Sequence, residues 1–254
     1  MRDRHPFLDS AVEADTPTWR YFDFPKFVSF LEKRALYFSR ADLLGDPLEG
    51  SFTKAYAADR QTLLGNPPDG VTAERLQDIL QNNEAFFATQ SEDIYVNCWH
   101  LGDHESMAMW NGYGGGPYGV AIRSTYGALD AALPSKLGEL QAPIWLGRVR
   151  YLDYTSLTER IPKEYNVLSR FTCKHIAYEH EKEIRALFMY PNLGLGSCAV
   201  PGHSLPVDLD LLVRRVIVSP LSPSWFDELV LSVCVRFECK PDVGRSNVFG
   251  PPVY

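Results

Sequence analysis

The sequence predicts an α+β fold, a single domain with a mixed sheet and flanking helices. Three observations predict it. Stretches with apolar residues at helical spacing are interspersed with stretches that alternate at period two. The composition, 45% hydrophobic and 22% charged over 254 residues, supplies enough apolar surface for one large core. No internal repeat, low-complexity tract or linker divides the chain. Residues 1–16 are polar and expected to be a flexible N-terminal segment, with the domain running over 17–254.

Thr18 to Phe24 is aromatic, with Arg20 among the rings. Pro25 suits the first turn of a helix whose apolar face is Phe27, Phe30 and Leu31 and which ends near Lys33 and Arg34. Ala35 to Ser39 reads as a short strand. Leu44 to Glu49 is a turn carrying Asp46 and Glu49, in which Asp-Pro is good turn chemistry by itself. Two helical regions follow, over 51–64 and 71–90, separated by the loop Gly65–Gly70. They read as an excursion between the first strand and the next. Asp93 to His100 is a strand, Glu105 to Tyr113 a short helix, and Tyr118 to Arg123 another strand. The glycines at 114–116 between them precede a strand and lack a phosphate-loop pattern, so they read as a turn or lid hinge. A helix over Thr125–Leu133 and a strand over Ile144–Tyr151 come next. After the central stretch lie a Gly-rich loop (Pro191–Gly202), a strand (Val213–Val218) and a last helix (Ser224–Glu238).

The central stretch, Lys174 to Phe188, holds the densest charge. Residues 163–180 read as a helix with Val167, Phe171, Lys174 and Tyr178 on one stripe, and Glu181 next on it if the helix extends. A lysine and a glutamate on a buried stripe need partners. Beyond Glu181 the period becomes two, which sets Glu183 and Arg185 on one strand face. The plainer alternative is a solvated charged turn with a snorkelling lysine.

Charge and targeting bound the function classes. A net charge of −7 gives no general electrostatic pull toward nucleic acid. The first fifteen residues lack the apolar core of a signal peptide, and no run is long and apolar enough for a membrane span. The five cysteines, with no C-x-x-C, read as reduced thiols of a cytoplasmic protein. The sequence does not specify an oligomeric state.

Three constellations carry candidate chemistry. His100, His104 and Glu105, and His175, His180 and Glu181, fall short of a metal-ligand pattern, so no metal is expected. Cys98 and His100 share a strand face as a thiol and base would, but a buried thiol is the commoner fate. Trp19, Tyr21, Trp99, Trp110, Tyr113 and Tyr178 could line a pocket for a flat ring or belong to the core.

The chain resembles a bacterial family catalogued as domain of unknown function 2971. The matching pieces are Trp19-Arg20-Tyr21, Leu36 to Ser39 followed by Asp46 to Glu49, Asn97 to His100, Met109-Trp110 with Tyr113, Gly119 to Ile122, Tyr151, Lys174, and Tyr178-x-x-Glu181-x-Glu183-x-Arg185. Ser219-Pro220 and the helix after it also fit. The chain departs from that pattern at Gly45, where Asn is usual, and at Tyr178, where Trp is usual. The resemblance implies a fold and a site but no settled activity.

Three functional readings follow. Glu181-x-Glu183 at the start of an apolar strand is similar to the Glu-x-Glu strand of ADP-ribosyltransferases. On that reading NAD is the substrate and Glu183 polarises a ribose hydroxyl. Glu181 then orients the acceptor, Lys174 completes the catalytic set, and Arg20 contacts the phosphates. Ser39 lies far earlier than the usual serine of such enzymes. Tyr21, Asp46, Glu49, Trp99, Trp110, Tyr113 and Arg185 complete the candidate ligand-binding set. The second is a non-catalytic ligand-sensing or interaction domain of a stress or phage response, in which the same charges form a buried ion network. A metal-dependent nuclease built on Asp46, Glu49, Glu181, Glu183 and Lys174 is a third reading. Whether the chain is an enzyme stays open at this level.

Overall fold

The computed structural model describes residues 5, 6, 8, 9, 11–137, 141–161, 166–190 and 200–250. β1 (Pro17–Asp23) leads directly into α1 (Phe24–Lys33). The Asp23 carboxylate caps the helix by accepting from the Lys26 N–H at 2.8 Å, and Pro25 occupies the first turn. Arg34, at φ 45°, ends α1 in the left-handed region and turns the chain into β2 (Ala35–Arg40). Here Phe27, Phe30 and Leu31 are buried, as the spacing predicts.

α2 (Lys54–Gly65) and α3 (Ala73–Thr89) form the expected excursion, and β3 (Ile94–Leu101) returns the chain to the sheet. α4 (Met107–Tyr113), β4 (Gly119–Thr125) and α5 (Tyr126–Ala132) follow. β5 (Lys136–Leu137) and β6 (Ala142–Pro143) pair as a small ladder of their own. The strand expected over 144–151 is two strands, β7 (Trp145–Arg148) and β8 (Arg150–Leu152). The break falls at Val149, whose N–H donates to the Glu183 carbonyl, so the chain leaves one sheet there for another.

The helix expected over 163–180 does not form. Residues 162–165 lie outside the described set, and helix α6 spans only Val167–Arg170. β9 (Cys173–His175) then runs parallel to β8, and Ile176–Glu181 is a 3-10 turn closed by Lys182 at φ 42°. Cys173, Lys174 and His175 pair with Arg150, Tyr151 and Leu152, so an edge of β8 and not helical spacing sets this segment. β10 (Glu183–Met189) is the expected period-two strand. β11 (Gly202–Pro206), α7 (Leu209–Leu212), β12 (Arg215–Val218), α8 (Phe226–Arg236) and β13 (Asp242–Arg245) complete the chain. Of the Gly-rich loop, residues 191–199 lie outside the described set, and Gly202 opens a strand.

Nine strands make one mixed, mostly antiparallel sheet in the order β11-β2-β3-β1-β4-β12-β13, with β10 on the other edge of β3 and β7 beyond it. The fold is α+β in a single domain. The helices α1, α5, α7 and α8 pack on one face over the largest core, which includes Phe27, Trp99, Ile122, Phe188, Leu129 and Val230. The other face carries two smaller clusters, one around Phe171 and Leu187, the other around Trp19, Tyr21, Met109 and Trp110. Some residues of the N-terminal segment touch the domain, while Ala11, Glu13, Ala14 and Asp15 are exposed. Leu8 is buried with Phe171 and Leu187, and the Asp9 carbonyl accepts from the Arg148 N–H.

The sheet divides at β3. On the edge away from β10, β1 pairs only with Leu101 and His100, and β2 only with Val96 and Tyr95. Asn97 to Trp99 have no ladder partner on that edge. Side chains take over there: Arg20 Nη1 donates to the Cys98 carbonyl at 2.7 Å, and Asn97 Nδ2 donates to the Tyr37 carbonyl at 2.8 Å. Buried backbone groups without a strand partner need such substitutes.

Candidate functional site

The division of the sheet opens a cleft of about 880 Å³ that passes between β1 and β2. This lies within the usual range of small-molecule sites, roughly 300–1,000 Å³. Arg20, Tyr21, Asp46, Glu49, Trp99, Tyr113, Lys174, Glu183 and Arg185 all line it. Two of the expected site residues do not. Trp110 packs against Tyr21 with ring centroids 4.9 Å apart, and its Nε1 donates to Glu105. It belongs to the core, the commoner fate of an aromatic side chain. Glu181 is 1% exposed and sits beneath Tyr113, whose hydroxyl donates to Glu181 Oε1 at 2.6 Å.

One wall of the cleft is a chain of four buried ionisable side chains, Glu49, Arg185, Glu183 and Lys174, which continues behind the wall to Glu181. Strand register places Glu183 opposite His100 and Arg185 opposite Cys98. Arg185 Nε donates to Glu183 Oε2 at 2.6 Å, and its two terminal nitrogens hold the Glu49 carboxylate at 2.6 and 3.1 Å. Arg185 Nη1 also donates to the Phe171 carbonyl. Lys174 Nζ donates to Glu181 Oε2 and to Glu183 Oε1, the latter at 3.3 Å. Its ammonium lies 4.5 Å from the centre of the Tyr178 ring. The Tyr151 hydroxyl accepts from the Glu183 N–H, and His100 Nδ1 donates to the Glu181 carbonyl. These links fix both carboxylates from the backbone as well as from the side chains.

The electrostatics divide the two glutamates. Burial pushes Glu183 up, but the Arg185 guanidinium and the Lys174 ammonium outweigh it and hold the carboxyl down at about 2. Burial and the neighbouring Glu183 raise Glu181, which therefore keeps its proton more readily. Burial lowers Lys174, yet Glu183 and Glu181 together leave it raised. At neutral pH the arrangement presents an ionised Glu183 to the cleft between two cations.

Arg20 stands apart from this chain. Burial lowers its pKa to about 10, and it has no carboxylate partner among the described residues. Among the described residues it makes one hydrogen bond, to the Cys98 carbonyl, and its buried Nε has no partner. The guanidinium lies over the Phe22 and Trp99 rings at 5.3 and 5.9 Å. A cation in that state is suited to an incoming anion.

The remaining expectations divide. Asp46 Oδ1 accepts from the Leu48 N–H and so shapes its own turn, while its buried Oδ2 has no partner. Ser39 lines the cleft, but its hydroxyl donates to the Arg40 carbonyl. Burial pushes the Cys98 thiol up to about 12, which makes it a poor nucleophile despite His100 two residues on. Among the described residues no group of three or more His, Cys, Asp and Glu side chains is arranged to hold a metal ion. Sequence reasoning overlooked Gly50 and Arg170, which hold the Glu49 turn, and gave no site role to Tyr151. Gly50 carries φ +71°, and only its place after a carboxylate in a turn signals that.

No protein-family model and no curated protein matches the chain. Solved structures of Thermus sp. 2.9 DarT show a slight likeness. The complex with carba-NAD+ matches at a TM-score of 0.40 and 12% identity, over 92% of this chain and 97% of that one. The complex with ADP-ribosylated ssDNA matches at 0.40 and 12%, over 97% and 98%. The complex with NAD+ matches at 0.41 and 12%, over 93% and 98%. A likeness of this strength carries no function to the present chain.

Proposed function

We propose that the cleft binds an NAD-like dinucleotide and that the protein transfers ADP-ribose from it. One observation carries this reading: a carboxylate held ionised and a buried guanidinium without an acidic partner line the same cleft. Arg20 is suited to a phosphate of the dinucleotide. Glu183 accepts a hydrogen bond from a ribose hydroxyl and, as an anion, stabilises the oxocarbenium-like centre at the adjacent carbon. The bond from that carbon to nicotinamide breaks, nicotinamide leaves with the bonding electrons, and an acceptor attacks the carbon and gives up its proton. Lys174 and Arg185 keep Glu183 ionised and aimed, and Trp99, Tyr113 and Tyr178 supply flat surfaces along the way.

A second reading has its own support. Glu183 is only 5% exposed, and each of its oxygens already accepts from a cation. On that reading the cleft senses a nucleotide without turning it over, and the charges are scaffolding. NAD consumption by the full chain and by Glu183→Gln separates the two. Consumption that the variant loses while its fold is retained supports transfer. Unchanged consumption in the variant rules out the role given to Glu183. A thermal shift with NAD and no turnover in either form favours sensing.

A further inference from the structure

We propose that Arg170 is a positioning residue that sets the Glu49–Arg185–Glu183 chain from the side of the α2–α3 excursion. Arg170 ends α6, is 2% exposed, and has no carboxylate partner among the described residues. Its guanidinium is caged by the rings of Phe87, Phe52 and Phe171, at 4.4, 4.9 and 5.6 Å. Nη1 donates to the Gly50 carbonyl at 2.9 Å, while Nε and Nη2 are buried without partners. A cation kept from water with one hydrogen bond is a costly occupant of a core, and an apolar side chain would fill the space at lower cost. What it secures is the backbone of the turn that carries Glu49.

That turn is gripped from two sides by successive residues. Gly50 sits at φ +71°, and a Cβ there would lie 2.5 Å from the Phe171 ring. Phe171 also offers its carbonyl to Arg185 Nη1, and the same Nη1 donates to Glu49. So Arg170 fixes the turn bearing Glu49, and its neighbour fixes the guanidinium that Glu49 meets. Arg185 in turn aims Glu183. None of the side chains of α2 or α3 lines the cleft, yet Phe87 of α3 reaches it through Arg170. The positioning concerns carboxylate geometry and holds whether the cleft transfers or senses.

The test is hydrogen exchange by NMR at neutral pH on the full chain without nucleotide, comparing Arg185 Nε–H with the core amide of Ile122. Arg170→Met is expected to fold and to lose Arg185 Nε–H protection about tenfold relative to Ile122, the signature of local opening. Arg170→Lys, which keeps a donor for Gly50, is expected to restore most of it. Parallel changes at both protons, or none, would overturn the proposal and leave Arg170 a packing residue. If Arg170→Met does not fold, Phe87→Leu serves. Selective loss at Arg185 supports the coupling, and an unchanged ratio in that folded variant overturns it.

Discussion

Replacing Glu183 by glutamine keeps the shape of the side chain and removes its charge, so it isolates what the ionised carboxylate contributes. In the folded protein Arg185 and Lys174 hold the carboxyl at about 2, against an ordinary value of 4.5. That difference corresponds to about 3 kcal/mol of stability at neutral pH. Because the folded value lies below the unfolded one, the contribution is complete above the unfolded value. It is lost as the pH falls from 4.5 toward 2. Glu181 offsets part of the loss. Glu183 is among the groups that raise it, so it ionises more readily in the variant and strengthens the pairing it already has with Lys174. The figure of about 3 kcal/mol is therefore an upper value, large beside a typical domain stability of about 5–15 kcal/mol. Denaturant unfolding of both forms, from neutral to about pH 3, reads the gap directly. The gap is expected to be widest near neutrality and to narrow as the solution becomes acid. A gap that does not change with pH, or a variant as stable as the parent at neutral pH, would refute the reasoning.

Other outcomes follow from the same geometry. Arg185→Met strands Glu49 and half of the Glu183 pairing, which costs about 3–5 kcal/mol. At about 2–4 °C per kcal/mol for a chain of this size, the thermal midpoint should fall by roughly 6–20 °C. A fall under about 2 °C would mean that water reaches the pair. Gly50→Ala forces a side chain onto the Phe171 ring in the left-handed backbone region, and should lower stability by about 1–3 kcal/mol in the same melt. A neutral result would mean that the turn relaxes freely.

The helix α1 was legible because Pro25, a capping Asp23 and an apolar stripe agree with one another. β3 and β4 were legible because buried strands show as short apolar runs between turn signals, and β10 because its residues alternate at period two. The helix over 163–180 was not, since Phe171 and Tyr178 fit helical spacing by coincidence. The deciding factor was the edge of β8, which sequence periodicity does not report. Lys174 illustrates the difference. It is buried, as the stripe implied, yet it reaches Glu181 and Glu183 from a strand and not from the helix that the stripe assumed. β11 and β13 are short strands whose polar and glycine content hides the period. Within the site, charge density and the Glu-x-Glu-x-Arg spacing pointed to side chains that the fold brings together, whereas Trp99 and Trp110 looked alike. Only the packing separates them, with Trp99 facing the cleft and Trp110 bonded to Glu105 away from it.

The central claim is that the cleft takes an NAD-like dinucleotide with Arg20 on its phosphates. Calorimetric titration of the full chain with NAD, beside Arg20→Gln, measures this most directly. The account predicts saturable binding by the parent chain, weakened about tenfold or more in the variant, as expected for a lost charged hydrogen bond of about 1.5–3 kcal/mol. Absence of binding by the parent, or equal affinity in both forms, would contradict it.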